Sequence, residues 1–200
     1  MIRGIILAAG AARRMGSIKQ LLPLRNQPLV CHVAGAACQS HLDEVVLVIG
    51  AAADQVSAAV GNFPLTVIEN PEWIQGQASS LKAGLRNLPP DTDAVIFLLA
   101  DQPLMTAGLI NQIIAAYRET GKTIICPAFG QRRGNPVLFD LKKWQDALSA
   151  LSGDQGARQI VVGHPGEVGW VAVESEDVFW DIDTKEDYQR ICNFLDLSRP

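Results

Sequence analysis

Short apolar runs alternate along the chain with stretches whose apolar residues return every three or four positions. Residues 2–8, 44–49, 65–68, 94–99 and 123–126 read as strands. The runs Val45 to Ile49 and Val95 to Leu99 are apolar at both parities, as in parallel strands covered on both faces. Between them, residues 28–39, 53–60, 78–87 and 106–119 carry helical periodicity. Thr106 suits an N-cap and Gly121 a stop. This alternation predicts an α/β fold: a Rossmann-like, doubly wound, mostly parallel sheet. After residue 127 the rhythm changes. Residues 136–139, 169–173 and 178–181 read as shorter strands, around helices at 141–150, 157–162 and 184–195. Thr184 is placed to cap the last helix, with Asp187 three residues on.

Open α/β sheets bind ligands at the C-terminal ends of their strands. The polar residues that follow each strand pattern therefore carry the chemistry, and they gather at one edge. A small-residue loop from Gly10 follows the first strand and carries Arg13, Arg14 and Lys19. Small side chains let backbone N–H groups approach an anion, and the cations face it, so the loop suits phosphates. The alternative is a solvated loop. The sequence has no G-x-x-x-x-G-K-[ST], and Ala12 stands where G-x-G-x-x-G would need its second glycine. Both gaps argue against a P-loop NTPase and a dinucleotide-dependent oxidoreductase.

Asp101 follows the fourth strand directly. A carboxylate there, beside a basic loop, can hold Mg²⁺, which binds through one or two carboxylates plus substrate phosphates; otherwise it starts the turn before Pro103. Asp181 and Asp183 offer a second carboxylate and, on a strand, would share one side; the alternative is an acidic helix start. Ser79 and Ser80 can donate and accept hydrogen bonds to a base, or simply begin a helix. Arg132 and Arg133, beside Gly134, suit a second anionic group or a solvated hairpin. His32, His41 and His164 are scattered and carry no assigned role.

Two hundred residues suit one domain, and 48% hydrophobic content suits a packed core. A net charge of −4 argues against nucleic acid as a partner. It leaves room for an anionic small molecule, because a local basic loop acts over about 8–10 Å. The four cysteines form no C-x-x-C pair and read as core thiols of a reducing compartment. With no leader pattern and no apolar stretch near 18 residues, the expected location is the cytoplasm, away from membranes.

Leu7-Ala8-Ala9-Gly10, then Arg14-Met15-Gly16 and Lys19, resembles the L-A-A-G-x-G-x-R-M-G-x-x-K signature of nucleotidyltransferases with the nucleotide-diphospho-sugar transferase fold. Ser79 to Leu85, Ala100 to Pro103, Arg133 to Phe139 and Asp181 to Thr184 narrow the resemblance. It becomes the MobA-like branch, and within it the molybdenum cofactor cytidylyltransferases. The resemblance runs over nearly the whole chain and implies a single domain, with residues 1–126 binding nucleotide and residues 127–200 binding the acceptor.

It implies that Leu7, Ala8, Ala9 and Gly10 contact base and ribose. Arg14 and Lys19 would hold the triphosphate, and Ser80 the base, with Asn70 near the nucleotide. Asp101 and Asp183 would bind Mg²⁺, and Arg133, Gly134 and Asn135 the acceptor. The implied reaction moves CMP from CTP to the phosphate of molybdopterin or the molybdenum cofactor and releases pyrophosphate; a molybdoenzyme is the implied recipient of the product. Two positions depart from the pattern. Ala12 replaces a glycine, and Asn135 stands where this branch usually has histidine. The alternatives are a guanylyl- or sugar-1-phosphate nucleotidyltransferase, a non-catalytic cofactor-binding accessory protein, and, more remotely, a nucleotide-binding oxidoreductase.

Overall fold

A computed structural model describes residues 1–11 and 18–197. In chain order the elements are β1 (Ile2–Leu7), β2 (Pro23–Leu24), β3 (Gln27–Pro28), α1 (Leu29–Cys38), β4 (Glu44–Ile49), α2 (Ala53–Val60), β5 (Thr66–Glu69), α3 (Gln77–Arg86), β6 (Ala94–Leu99) and α4 (Ala107–Thr120). There follow β7 (Ile124–Phe129), β8 (Arg132–Arg133), β9 (Val137–Asp140), α5 (Leu141–Ser149), α6 (Arg158–Gly163), β10 (Val168–Ala172) and α7 (Lys185–Leu197). The main sheet runs β10-β7-β9-β6-β1-β4-β5, with β8 pairing to β7. β6, β1, β4 and β5 are mutually parallel. β9 is antiparallel to both β6 and β7, so β7 regains the common direction, and β10 follows it.

The apolar-at-both-parities strands are covered on both faces, as their pattern requires. One layer packs Val33 of α1, Val56 of α2 and Ile110 and Ile113 of α4 against Ile6, Leu47, Ile96 and Leu98. The other packs Leu81 of α3, Trp144 and Leu148 of α5 and Ile160 of α6 against Ile5, Val48, Val95 and Phe97. Each such buried side chain contributes roughly 1.5–3 kcal/mol, so these layers, not the loops, fix the strand ends in space. Gly84 lets α3 lie close to the sheet: a Cβ there would fall 2.7 Å from Ile5. A small third cluster, Leu24, Leu29, Ile182 and Ile191, ties α7 to the β2–β3 hairpin.

Three features differ from the sequence expectations. Residues 178–181 form no strand; a 3₁₀ turn, Asp177–Phe179, drives Phe179 inward against Gly134. The β2–β3 hairpin escapes a periodicity reading because each strand has only two residues. Its turn rests on Arg25 (φ 45) and Asn26 (φ 68), the left-handed pair of a tight hairpin. β9 runs antiparallel, a direction that an apolar run does not encode. Among the described residues no helix is long and apolar enough to cross a membrane. All four cysteines are free.

Candidate functional site

A cleft of about 860 Å³ opens where β1 and β6 end. Leu7 and Leu99 form its floor. Ala9, Gly10, Ala11, Lys19 and Gln20 line one side, and Trp73, Ile74, Gly76, Gln77 and Ser80 the other; Asp101, Asp154 and Asp183 also face it.

Lys19 lies at the centre of the charges. Its Nζ donates to Asp101 Oδ2 at 2.8 Å and to Asp183 Oδ1 at 2.9 Å. The Lys19 side chain is only 13% exposed and Asp101 24%. Burial alone would lower the lysine pKa. The charge of Asp101 and the hydrogen bonds to Asp101 and Asp183 outweigh it and hold the ammonium above the ordinary lysine value. Each carboxylate is placed by backbone pairing. Ile182 N donates to Asp101 O at 3.1 Å, stitching the segment before α7 to the end of β6. Asp183 N and Thr184 N donate to Asp187 Oδ2, and Asp187 N donates to Thr184 Oγ1, which fixes the start of α7. Asp181 lies outside the cleft lining. Desolvation, with Asp101, Asp183 and Asp187 adding repulsion, raises its carboxyl.

Asp101 Oδ1 is buried and accepts no hydrogen bond among the described residues. Such an atom is costly unless something else satisfies it. Two hard carboxylate oxygens that converge on one cation suit a divalent metal. Among the described residues no group of three or more His, Cys, Asp or Glu side chains could hold one. A cation there could take Asp101 and Asp183 from the described residues, with phosphate and water oxygens filling the rest of its shell.

Of the other residues singled out in the sequence, Leu7, Ala9, Gly10 and Ser80 line the cleft, while Ala8 and Asn70 lie behind it. Asn70 is 2% exposed. Its Nδ2 donates to Ser79 Oγ at 2.9 Å and Ser80 Oγ at 3.0 Å, and its Oδ1 accepts from Glu72 N. Asn70 therefore aims Ser80 rather than facing the cavity. Arg13 and Arg14 lie outside the described residues.

Arg133, Gly134 and Asn135 do not line the cleft. Arg133, on β8 beside the C-terminal end of β7, sits 5.6 Å over the Trp170 ring of the edge strand β10. Gly134 presses on Phe179 so closely that a Cβ would fall 2.1 Å away, and Phe179 O accepts from Gln102 Nε2 at 3.4 Å. This chain of contacts links the Arg133–Asn135 segment to the neighbour of Asp101.

Several cleft residues carried no motif signal. Gln20 Nε2 donates to Ala8 O at 2.8 Å and Gly10 O at 2.6 Å and so pins the first loop; its only trace in the sequence is a polar residue before Leu-Leu. Asp154 arrives on the loop after α5, pressed against Gly76. Gly76 has φ +103, and a Cβ there would lie 2.4 Å from the Gly153 backbone. Trp73, Ile74 and Gln77 complete that wall.

The model of the MobA-like NTP transferase domain matches residues 4–168. The chain belongs to that family. It is a nucleotidyltransferase with the nucleotide-diphospho-sugar transferase fold. This family member is 31% identical to nicotine blue oxidoreductase of Paenarthrobacter nicotinovorans over 95% of this chain and 96% of that protein. It is 30% identical to the purine catabolism protein PucB of Bacillus subtilis over 94% of each. Among solved structures it superposes on Rv0371c of Mycobacterium tuberculosis with a TM-score of 0.85 at 30% identity, covering 96% of this chain and 97% of that one. The complex of Rv0371c with manganese gives 0.81 at 28%, covering 96% and 98%.

Proposed function

We propose that this nucleotidyltransferase moves CMP from CTP to the phosphate of a molybdopterin-type acceptor and releases pyrophosphate. The observation that carries this reading is the convergence of Asp101, Asp183 and Lys19 at the mouth of the Gly10 loop. An acceptor phosphate oxygen attacks the α-phosphorus. It is already anionic, so positioning and charge neutralisation do the catalytic work and no strong base is required. Backbone groups of Leu7 to Gly10, with Ser80 oriented by Asn70, hold base and ribose. Arg14 and Lys19 neutralise the outer phosphates. Asp101 and Asp183 hold Mg²⁺, which when bound supplies charge stabilisation worth several kcal/mol. The manganese complex of Rv0371c supports a divalent ion in this fold. Arg133, Gly134 and Asn135 serve the acceptor, which divides the domain into a nucleotide part (1–126) and an acceptor part (127–200). A molybdoenzyme then receives the product.

Leu7-Ala8-Ala9-Gly10, as in the cytidylyl branch, favours CTP over GTP. The test incubates CTP, GTP and ATP in parallel with molybdopterin or its molybdenum form and reads pyrophosphate and product mass. CTP should give the acceptor enlarged by one CMP. A guanylylated product would move the reading to GTP, and no nucleotide turnover with any acceptor would overturn it. The similarity to nicotine blue oxidoreductase favours a second reading, in which the cleft serves a redox reaction. Consumption of NADH or NADPH without pyrophosphate release would select it.

A further inference from the structure

Among the described residues Lys19 gives two of its three N–H donors to carboxylates of the protein, so most of its charge is committed to Asp101 and Asp183 before a triphosphate arrives. Its ammonium occupies the point on which Asp101 Oδ2 and Asp183 Oδ1 converge, so a divalent cation bridging the two carboxylates through these oxygens competes with it for that point. The ammonium is mostly shielded from water, so its attraction to the two carboxylates is weakly screened. A bare metal ion entering the cleft without nucleotide would compete with this charge for both carboxylates and leave it mostly buried with its pairing weakened, which is costly. A triphosphate changes the balance. Its oxygens give the released ammonium new acceptors and also complete a metal shell to which no group of three or more His, Cys, Asp or Glu among the described residues contributes.

We infer that Lys19 has a role before it meets the phosphates: it stands in for the metal, keeping the Asp101–Asp183 pair assembled and closed to divalent ions until the nucleotide arrives. The cation therefore enters with the triphosphate, not before it. Lys19 then exchanges two carboxylates for phosphate oxygens, with no net loss of ion pairs. This rests on the reading that Asp101 and Asp183 hold the metal.

The test measures Mn²⁺ binding to the full chain by electron paramagnetic resonance, with and without CTP. The proteins compared are the native chain, Lys19→Met, Lys19→Gln and Asp101→Asn, each checked for folding by circular dichroism. The native protein should bind Mn²⁺ weakly alone and firmly with CTP. Either Lys19 variant should bind Mn²⁺ without nucleotide at least about tenfold more tightly than the native protein, because a competing charge is gone. Both should lose most of the CTP-dependent gain. A lysine that only binds phosphate would leave nucleotide-free affinity unchanged, and a lysine that only braces the fold would lower it; either result overturns the inference. Asp101→Asn separates the two levels. If it abolishes CTP-dependent Mn²⁺ binding while the Lys19 variants gain nothing, the metal site stands and the stand-in role falls. If it leaves that binding intact, both fall.

Discussion

At the N-terminal edge of the sheet, Arg3 lies 2% exposed, and its guanidinium is shared among Glu44, Asp91 and Thr92 at 2.7–2.9 Å. Nearby, Asp140 spends both oxygens, one on the Tyr117 hydroxyl and one on Lys143 N at the start of α5. Burial and Asp140 together push the Tyr117 phenol up. At the C-terminal edge of the same strands, Lys19 bridges Asp101 and Asp183, yet Asp101 Oδ1 accepts nothing from the described residues. It shares that state with Gln20 Oε1 and Gln102 Oε1, the other buried side-chain atoms without a partner among the described residues. One edge closes its polar groups on itself. The other leaves acceptors over, all within a few residues of the cleft. Unsatisfied buried groups are expensive, and a protein keeps them together where a ligand or ion completes them.

Substitutions should divide along this line. Asp101→Asn should cost transfer activity at least ~10²-fold, as for loss of a main charge stabiliser, with little change in Tm. Steady-state kinetics beside a melting curve checks both, and near-normal turnover would break the comparison at its active end. Arg3→Met should do the reverse. It should destabilise by roughly 2 kcal/mol, lowering Tm by about 4–8 °C, with turnover within about twofold of native. A catalytic defect in that variant would show that the N-terminal edge is not purely structural.

Asn70→Ala sharpens the boundary, since Asn70 is buried like Arg3 but aims Ser80 at the cleft. Losing its bonds should cost about 1–3 kcal/mol. Part of that should appear as a raised KM for nucleotide, and an unchanged KM would return Asn70 to the structural side. The smallest effect is expected at Thr184→Ala, about 1 kcal/mol or 2–4 °C in Tm.

The Thr184 bonds also hold the Asp187 carboxyl below its ordinary value, against a desolvation that would raise it. A depressed carboxylate contributes stability above its unfolded pKa of about 4, and loses it as pH falls through the lower folded value. Asp187→Asn should therefore flatten the acid limb of a Tm-against-pH curve, measurable by scanning calorimetry.

The sheet and its helices were legible because burial on both faces forces apolar residues at both parities, as in Val95 to Leu99, and because Thr184 with Asp187 is a local signal. Asp101 was legible as a carboxylate at a strand end. What stayed hidden is non-local. Lys19 and Asp183 are 164 residues apart, and only the assembled sheet brings them within 2.9 Å. Asp154 reaches the cleft because Gly76 and Gly153 allow two backbones to touch, a contact with no periodicity. Residues 178–181 open with an apolar run, Val178-Phe179-Trp180, that reads as a short strand, but Phe179 finds its burial against Gly134 instead of in a ladder. Gln20 reads as an ordinary polar residue until its amide is seen on two loop carbonyls.

The most direct test of the central claim is the anomalous scattering of manganese in crystals grown with a non-hydrolysable CTP analogue. The account predicts one strong peak between the Asp101 and Asp183 carboxylates, touching the triphosphate, with Lys19 Nζ moved onto phosphate oxygen. A peak away from both aspartates, or a bound analogue with Lys19 still bridging them and no metal beside it, would contradict it.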